Sequence, residues 1–266
     1  MKALIFFPLF VLLLNHSAFA YRLNTSNGAA YGDSTIKFYV TSNSTCTNAG
    51  VDKDELLSIA KEAADKFWNK VSTSNIKLKS GGIYETSDTL FLTGELCPEQ
   101  SGSSCGSNIV PYVSKLIIAC NNESTENFPS DDFIAISAPT RLAGTRIRGS
   151  VILINDTASS SFAGLSRSER VSVLAHELGH AVGLGHSNKS EALMYFSNAD
   201  KISRLSQDDR DGISYLYPVA ADDCNGIFGT LSDSDKDDLG PFLPQFFFGI
   251  MLGFFFWAGN RRIFKS

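Results

Sequence analysis

Histidine is scarce in this chain, and basic residues are few in its middle. Only four of the 266 residues are histidine. Asp and Glu are absent outside residues 21–238, and within that range 28 acidic side chains outnumber 19 basic ones, a net charge of −9. A nucleic-acid interface needs a basic surface to meet the phosphates. The composition, which is 43% hydrophobic and 19% charged, therefore predicts a globular protein without a nucleic-acid partner.

The first 20 residues have the pattern of a secretory signal peptide. Lys2 precedes an apolar run at 3–14, and Ala18 and Ala20 form an A-x-A cleavage site. Twelve apolar residues are short for a membrane span, which needs about 20. Export with cleavage after Ala20 is the prediction, and an uncleaved N-terminal anchor is the alternative.

The C-terminal end carries a second hydrophobic segment. Residues 239–260 are uncharged and rich in phenylalanine, and Arg261, Arg262 and Lys265 follow them. This pattern predicts a membrane-spanning helix with residues 261–266 as a basic cytoplasmic tail. A buried core helix and a sorting segment removed after export are the alternatives. Residues 220–238, which hold six Asp and one Lys, are predicted to be an acidic linker.

All five cysteines lie in the part predicted to be exported, where disulfides persist. Five is an odd number, so one thiol remains if the others pair, and 15 arrangements are open. Cys97 and Cys105 are the one pair close enough in sequence to suggest a local disulfide.

Residues 21–219 have the length of one domain. Asp52 and Glu55 suit a helix start, and helical spacing of apolar residues predicts a helix over 53–71. Ser166 and Glu169 form a second capping box, which predicts a helix over about 167–182. Short β-rich runs predict strands at 36–40, 76–78, 113–119, 133–138 and 151–154.

The most informative stretch is His176, Glu177, His180, Gly183 and His186. On a helix His176 and His180 project from one face, so both imidazoles can reach one tetrahedral metal. Gly183 allows a left-handed turn that brings His186 in as a third ligand. Three protein ligands leave a fourth position open, as in catalytic zinc sites, and Glu177 lies where it can take a proton from an attacking water.

Chance is a poor explanation of this pattern. Three His, one Glu and one Gly at fixed places should arise in on the order of one chain in 10⁵ of this length. The fourth histidine, His16, lies in the predicted signal peptide, so every histidine of the mature chain is a predicted ligand. The alternative is a set of core histidines on a buried helix.

The pattern HExxHxxGxxH resembles the zinc motif of the metzincin peptidases, and residues 192–195, with Met194, resemble the metzincin Met-turn. Ser187 after the third histidine and the stretch 204–217 are similar to the matrixin branch. Phe196 stands where astacin-like and serralysin-like enzymes have a metal-binding Tyr. The resemblance implies an α/β (α+β) zincin-like fold: a twisted, mostly parallel sheet, an antiparallel edge strand at 133–138, a long helix and an active-site helix.

The resemblance also implies roles for individual residues. One catalytic Zn²⁺ would be bound by His176, His180 and His186, with Glu177 as the general base and Met194 beneath the metal. Asp208 or Asp209 would brace the C-terminal helix against the Met-turn. Substrate would lie along the edge strand and over the active-site helix, on Ile134, Ala135, Ile136, Ser137, Tyr195 and Ser172. Ser172, four residues before the first ligand, would form the floor of a deep pocket for large apolar side chains; the alternative is that it faces solvent.

Three family features are not recognisable in the sequence. No PRCG-type cysteine switch stands between Tyr21 and the first predicted strand, and no further histidine remains for a second, structural zinc. A Ca²⁺ site has no recognisable loop either, because Asp233, Asp235 and Asp237 lack the Gly and the bidentate Glu of an EF-hand.

The sequence thus predicts an exported, membrane-anchored zinc endopeptidase acting on extracellular or surface proteins. One alternative is a tethered enzyme that processes a single dedicated partner. Another is a surface adhesion or binding module with a vestigial site, which the presence of Glu177 disfavours.

Overall fold

A six-stranded sheet organises the part of the chain that the computed structural model describes, residues 21–26, 28–98, 105–197 and 199–219. No helix of these residues is long and apolar enough to cross a bilayer. Four predicted segments lie outside the described residues: the signal peptide at 1–20, the acidic linker at 220–238, the hydrophobic segment at 239–260 and the basic tail at 261–266.

The sheet is mostly parallel, as predicted. Its strands are β1 Ala30–Tyr31, β2 Thr35–Thr41, β3 Lys77–Tyr84, β4 Leu116–Asn121, β5 Ala135–Ala143 and β6 Arg146–Asn155. They run in the order β3, β2, β4, β6 and β5, and β1 pairs with the first residues of β6. Only the pairing of β5 with β6 is antiparallel, and β4 occupies the other side of β6, so β5 is the predicted antiparallel edge strand.

Each predicted strand is present, with shifted ends. β4 begins three residues later than predicted, and β5 begins at Ala135 rather than at Phe133. Phe133 is not part of the ladder, because its carbonyl accepts the side-chain amide of Asn155 at 2.7 Å. The two-residue strand β1 carries no periodicity and was not predicted.

The described residues form four α-helices beside the sheet: α1 Lys53–Lys66, α2 Leu90–Thr93, α3 Arg167–Ala181 and α4 Gln207–Leu216. Asp52 caps α1 by accepting the Glu55 N–H, as predicted. The predicted helix over 53–71 ends early, and a 3-10 turn at Trp68–Lys70 follows it. The cause is tertiary, since the Trp68 indole donates to the Ala175 carbonyl and Asn69 binds both backbone groups of Leu78.

The two faces of the sheet bury different clusters. Helices α1 and α3 cover one face, where Ile36 and Phe38 of β2 pack with residues such as Leu56 and Leu174. On the other face, toward the strand ends, Phe91 of α2 belongs to a smaller cluster around β4 and β6. The active-site helix α3 is thereby fixed on one side of the sheet.

Two disulfides occur in the described residues. Cys97 pairs with Cys105, which confirms the predicted local pair. Cys46 pairs with Cys120 of β4, 74 residues away, an arrangement that the sequence left open. The fifth cysteine, Cys224, lies outside the described residues.

Candidate metal centre

Helix α3 brings the predicted ligands together. Its capping box is formed as predicted: the Ser166 side chain accepts the Glu169 N–H, and the Glu169 carboxylate accepts the Ser166 N–H at 2.7 Å. From Val171 to Ala181 every residue of the helix is buried between the sheet and the chain that follows. His176 and His180, one turn apart, are therefore carried by a tightly packed helix.

The chain reverses at Gly183 directly after this helix. Gly183 has a φ of +113°, a conformation that other residues avoid, and a Cβ there would overlap the Ala29 carbonyl oxygen. The Leu184 N–H returns to the Gly179 carbonyl at 2.9 Å, which closes the turn. This reversal carries His186 back over the helix end, as the sequence predicts.

The three histidines converge on one point. One ring nitrogen from each of His176, His180 and His186 lies within 4.8 Å of the others. The Nε2 atoms of His176 and His180 are 3.0 Å apart. His176 and His180 are buried, whereas His186 is exposed, so the cluster is reachable from solvent on one side.

Backbone carbonyls fix the tautomers of the two buried rings. Nδ1 of His176 lies 2.6 Å from the Leu193 carbonyl oxygen, and Nδ1 of His180 lies 2.8 Å from that of Leu184. A carbonyl only accepts, so each Nδ1 donates and each Nε2 presents a lone pair. Two lone pairs 3.0 Å apart repel each other, and a cation bound by both removes that repulsion.

The charge states of these rings also suit a metal. Burial lowers the pKa of His176 and of His180, and burial with the neighbouring His176 lowers the pKa of His186. The rings therefore stay neutral, which is the form that binds metals. Three imidazole nitrogens with an accessible side are the donor set of catalytic zinc sites, so these residues fit Zn²⁺.

Glu177 is buried beside the histidines and bonded to the edge strand. The Ser137 hydroxyl on β5 lies 2.6 Å from Glu177 Oε2 and 2.9 Å from the Glu177 carbonyl oxygen. Burial raises the pKa of Glu177 to about 7, although the hydrogen bond from Ser137 opposes this shift. The sequence predicted Ser137 as a substrate-binding residue and did not predict its contact with Glu177. The two residues are 40 positions apart, and no local sequence pattern connects them.

The predicted Met-turn contacts this cluster through the Leu193 carbonyl and is held by α4. The Leu193 and Met194 N–H groups donate to the Asp209 carboxylate at 2.8 and 3.0 Å, which confirms that an Asp of this pair braces the turn. Met194 is buried, and a Cβ on Gly179 would overlap its sulfur. Asp208 contacts another segment, since it accepts the Ser187 hydroxyl at 2.5 Å.

The residues predicted to bind substrate are dispersed around this centre. Ser172 is buried and donates to the Ser168 carbonyl at 3.1 Å, so the alternative that it faces solvent is wrong. A cavity of about 730 Å³ is lined mainly by residues of the stretch 201–211, and Ser172 is not among its lining residues. Ile134 precedes β5, Ala135 and Ile136 are partly buried at its start, and the Tyr195 ring packs on Phe196 at 4.5 Å.

Known proteins resemble this chain over the same region. The model of the matrixin family matches residues 51–218. Stromelysin-1 of Mus musculus is 48% identical over 75 residues, which cover 26% of this chain and 16% of the relative. The 72 kDa type IV collagenase of Gallus gallus is 43% identical over 74 residues, covering 27% and 11%. Metalloendoproteinase 5-MMP of Arabidopsis thaliana is 46% identical over 48 residues, covering 17% and 13%. The match thus spans less than a fifth of each of these relatives.

Proposed function

The chain belongs to the matrixin family, and from that membership we propose that it is a zinc-dependent endopeptidase that hydrolyses peptide bonds of extracellular or surface proteins. One observation supports this proposal above the others. Three neutral imidazoles converge within 4.8 Å, and a buried carboxylate lies directly beside the first of them. An adhesion module would not need that carboxylate.

The chain's own residues divide the work of hydrolysis. Bound by His176, His180 and His186, a zinc ion would polarise the scissile carbonyl and acidify the attacking water. Glu177 takes the proton of that water and passes it to the nitrogen of the leaving amine. A carboxyl whose pKa lies near neutrality can both accept and return a proton.

Ser137 can support Glu177 in both protonation states. When Glu177 is ionised, the Ser137 hydroxyl donates to Oε2 at 2.6 Å. When Glu177 is protonated, the Ser137 oxygen can accept a hydrogen bond from the carboxyl O–H while its own hydrogen is donated to the Glu177 carbonyl oxygen at 2.9 Å. We propose Ser137 as a positioning residue that keeps Glu177 in place throughout the proton transfer.

The peptide substrate is proposed to add as a strand beside β5. Within the described residues β5 pairs with β6 alone, so its outer edge offers backbone groups to an extended chain. Ile134, Ala135 and Ile136 would border that chain, with Tyr195 opposite and Ser172 under the side chain that follows the cut. A peptide library should then favour large apolar residues such as Leu or Phe at that subsite, and a preference for Gly or Asp would remove the assignment of Ser172.

The decisive experiment separates metal binding from proton transfer. Glu177→Ala should keep about one zinc per chain and lose activity by a factor on the order of 10² or more, because the base is removed and the ligands remain. His180→Ala should lose the zinc itself. Metal analysis and peptide hydrolysis measure the two effects, with chelator-treated wild type as the control.

Each other outcome has a distinct meaning. Comparable peptidase activity in Glu177→Ala would exclude Glu177 as the base. A wild-type protein that binds zinc and hydrolyses no peptide would support a binding module with a vestigial site. Cleavage of one protein without cleavage of library peptides would point to a dedicated partner.

We also propose that the enzyme is exported and anchored. The sequence pattern of residues 1–20 supports export, and the apolar segment 239–260 with Arg261 and Arg262 behind it supports an anchor with the catalytic domain outside. The full-length chain should fractionate with membranes and resist a salt wash. Release by salt with the C-terminal epitope intact would contradict the spanning segment.

A further inference from the structure

Four cationic side chains form a row across the sheet, at one level near the starts of its parallel strands. Lys79 of β3 is the ladder partner of Lys37 of β2. Leu116 of β4 pairs with Phe38 of β2 and with Ser150 of β6. Lys115, one residue earlier, therefore lies beside Lys37 on one side and Gly149 on the other. Gly149 is in turn the partner of Arg141 on β5. We call Lys79, Lys37, Lys115 and Arg141 the basic row.

The basic row lies on the sheet face opposite the candidate metal centre. Side chains alternate along a strand, and Phe38, next to Lys37, packs in the cluster that α1 and α3 cover. Leu116, next to Lys115, packs in the same cluster. Lys37 and Lys115 therefore point away from α3, and a ligand on the row would leave the histidines accessible.

The row borders a basic cavity. Lys37, Lys115 and Arg141 line a cavity of about 720 Å³ together with Arg146 and Arg148, and Asp33 is the one acidic residue of its lining. In the described residues, ion pairs form at other cations, Lys53, Arg167 and Arg170. The lining of the cavity therefore carries an excess of positive charge. Residues 21–238 have a net charge of −9, so the overall composition does not explain this basic surface.

The length of the row indicates the kind of ligand. Neighbouring strands are about 4.8 Å apart, so the four intervals from Lys79 on β3 to Arg141 on β5 cover about 19 Å. One phosphate or sulfate cannot contact all four cations, whereas a chain with repeated anionic groups can. The cavity is concave, which suits a narrow polymer better than a flat membrane surface.

A polymer with bases is disfavoured by the state of the two tyrosines that line the cavity, Tyr31 and Tyr39. Tyr31 is partly buried, and its hydroxyl donates to Ser150 Oγ at 3.0 Å. The Lys115 ammonium lies 4.8 Å from the centre of the Tyr39 ring and covers it. Single-stranded nucleic acids are bound largely by stacking of bases on open aromatic rings. We propose that the basic row binds a sulfated polysaccharide chain, which needs cations and no stacking surface.

Heparin is the probe for this proposal. The full-length protein should bind heparin with an affinity that falls as salt rises, because exposed charges are screened. The triple variant Lys37→Gln, Lys79→Gln, Lys115→Gln should bind about tenfold more weakly or worse, since each exposed contact contributes modestly. Its matched control is Lys53→Gln, Lys61→Gln, Lys70→Gln on α1 and the 3-10 turn, which removes the same charge from the other face and should stay within about twofold of wild type.

The proposal would be overturned if both triple variants lost heparin binding equally, or if the row variant bound heparin as the wild type does. It would also be overturned if the row variant lost only its binding to phosphatidylserine vesicles, because the basic row would then bind a membrane surface. Unfolding temperature and zinc content verify that both variants are folded. Peptide hydrolysis should be unchanged in both, so failure of heparin binding and failure of the proposed peptidase function are separately visible.

Discussion

At the scale of single residues, the metal centre depends on backbone atoms as much as on side chains. His176 is oriented by the carbonyl of Leu193 in the Met-turn, and His180 by the carbonyl of Leu184 after the helix end. Each ring is thus fixed by a segment outside α3. Mutation of a group that orients a metal-binding imidazole typically lowers metal affinity. The Met-turn and the turn at Gly183 are therefore part of the metal centre.

Removing the Ser137 hydroxyl should impair turnover without removing zinc. Ser137→Ala deprives Glu177 of a hydrogen bond to a charged group, which is worth about 1.5–3 kcal/mol, so kcat should fall by roughly ten- to a hundredfold. KM should stay within about twofold, and zinc content should equal that of wild type. Steady-state kinetics and metal analysis measure these quantities.

The conservative variant tests whether the hydroxyl itself matters. Ser137→Thr keeps a hydroxyl on β5, where a β-branched residue is well tolerated, and should recover most of the lost kcat. A role for Ser137 in strand packing alone would make both variants similar. Reduced zinc content in Ser137→Ala, or a change confined to KM, would contradict the positioning role.

The residues of the site were predictable where their spacing is local. His176, Glu177, His180 and His186 lie within 11 positions, so helix geometry and one glycine turn suffice to bring them together. The contact of Ser137 with Glu177 was not predictable, because it depends on which strand forms the sheet edge. Burial of Ser172 likewise depends on how α3 packs on the sheet.

At the scale of elements, α3 and the Met-turn approach each other at a glycine. A Cβ on Gly179 would overlap the Met194 sulfur and lie 2.8 Å from the Trp68 ring. Trp68 is fixed in turn by its indole hydrogen bond to Ala175 of the same helix at 2.8 Å. Close packing of α3, the 3-10 turn and the Met-turn therefore requires the absence of a side chain at this point.

Gly179→Ala should destabilise the domain and displace the Met-turn. Overpacking a buried site by one methyl costs about 1–3 kcal/mol, which outweighs the gain of up to about 1 kcal/mol from placing alanine in a helix. The measurement is the free energy of unfolding in urea, together with zinc affinity. Because Leu193 of the displaced turn orients His176, zinc affinity should fall as well.

Gly164 provides the matched control for this substitution. It lies in the 3-10 turn Phe162–Gly164, and a Cβ there has nothing within 4 Å. Gly164→Ala should leave both stability and zinc affinity close to wild type. Equal effects of the two substitutions would show that packing against Met194 is not the cause.

Element starts were better predicted than element ends. The two predicted capping patterns are local in sequence, and α1 and α3 begin where they indicate, α1 with a single cap from Asp52 and α3 with a full capping box. The end of α1 depends on Trp68 and Asn69, whose partners Ala175 and Leu78 lie in other elements. Periodicity alone extends the helix to residue 71, because the apolar spacing continues through the 3-10 turn.

At the scale of the whole molecule, one disulfide joins distant parts of the sheet and the other closes a short loop. Cys46, which follows β2, is bound to Cys120 of β4 across 74 positions, and both are buried. Cys97 and Cys105 are 8 positions apart. The sequence predicted the short link from its spacing, and the long one could only follow from the order of the strands.

Loss of the long disulfide should cost more stability than loss of the short one. Loop-closure entropy gives about 4.4 kcal/mol for the Cys46–Cys120 link and about 2.5 kcal/mol for Cys97–Cys105, and burial of Cys46 and Cys120 adds a packing loss. The comparison is between Cys46→Ala, Cys120→Ala and the matched pair Cys97→Ala, Cys105→Ala, by urea unfolding of purified protein. Both double variants should keep zinc while folded, because none of the four cysteines belongs to the histidine cluster. An equal or smaller loss of unfolding free energy in the variant without Cys46 and Cys120 would contradict the loop-closure argument. The packing of β2 against β4 would then be stable without the long link.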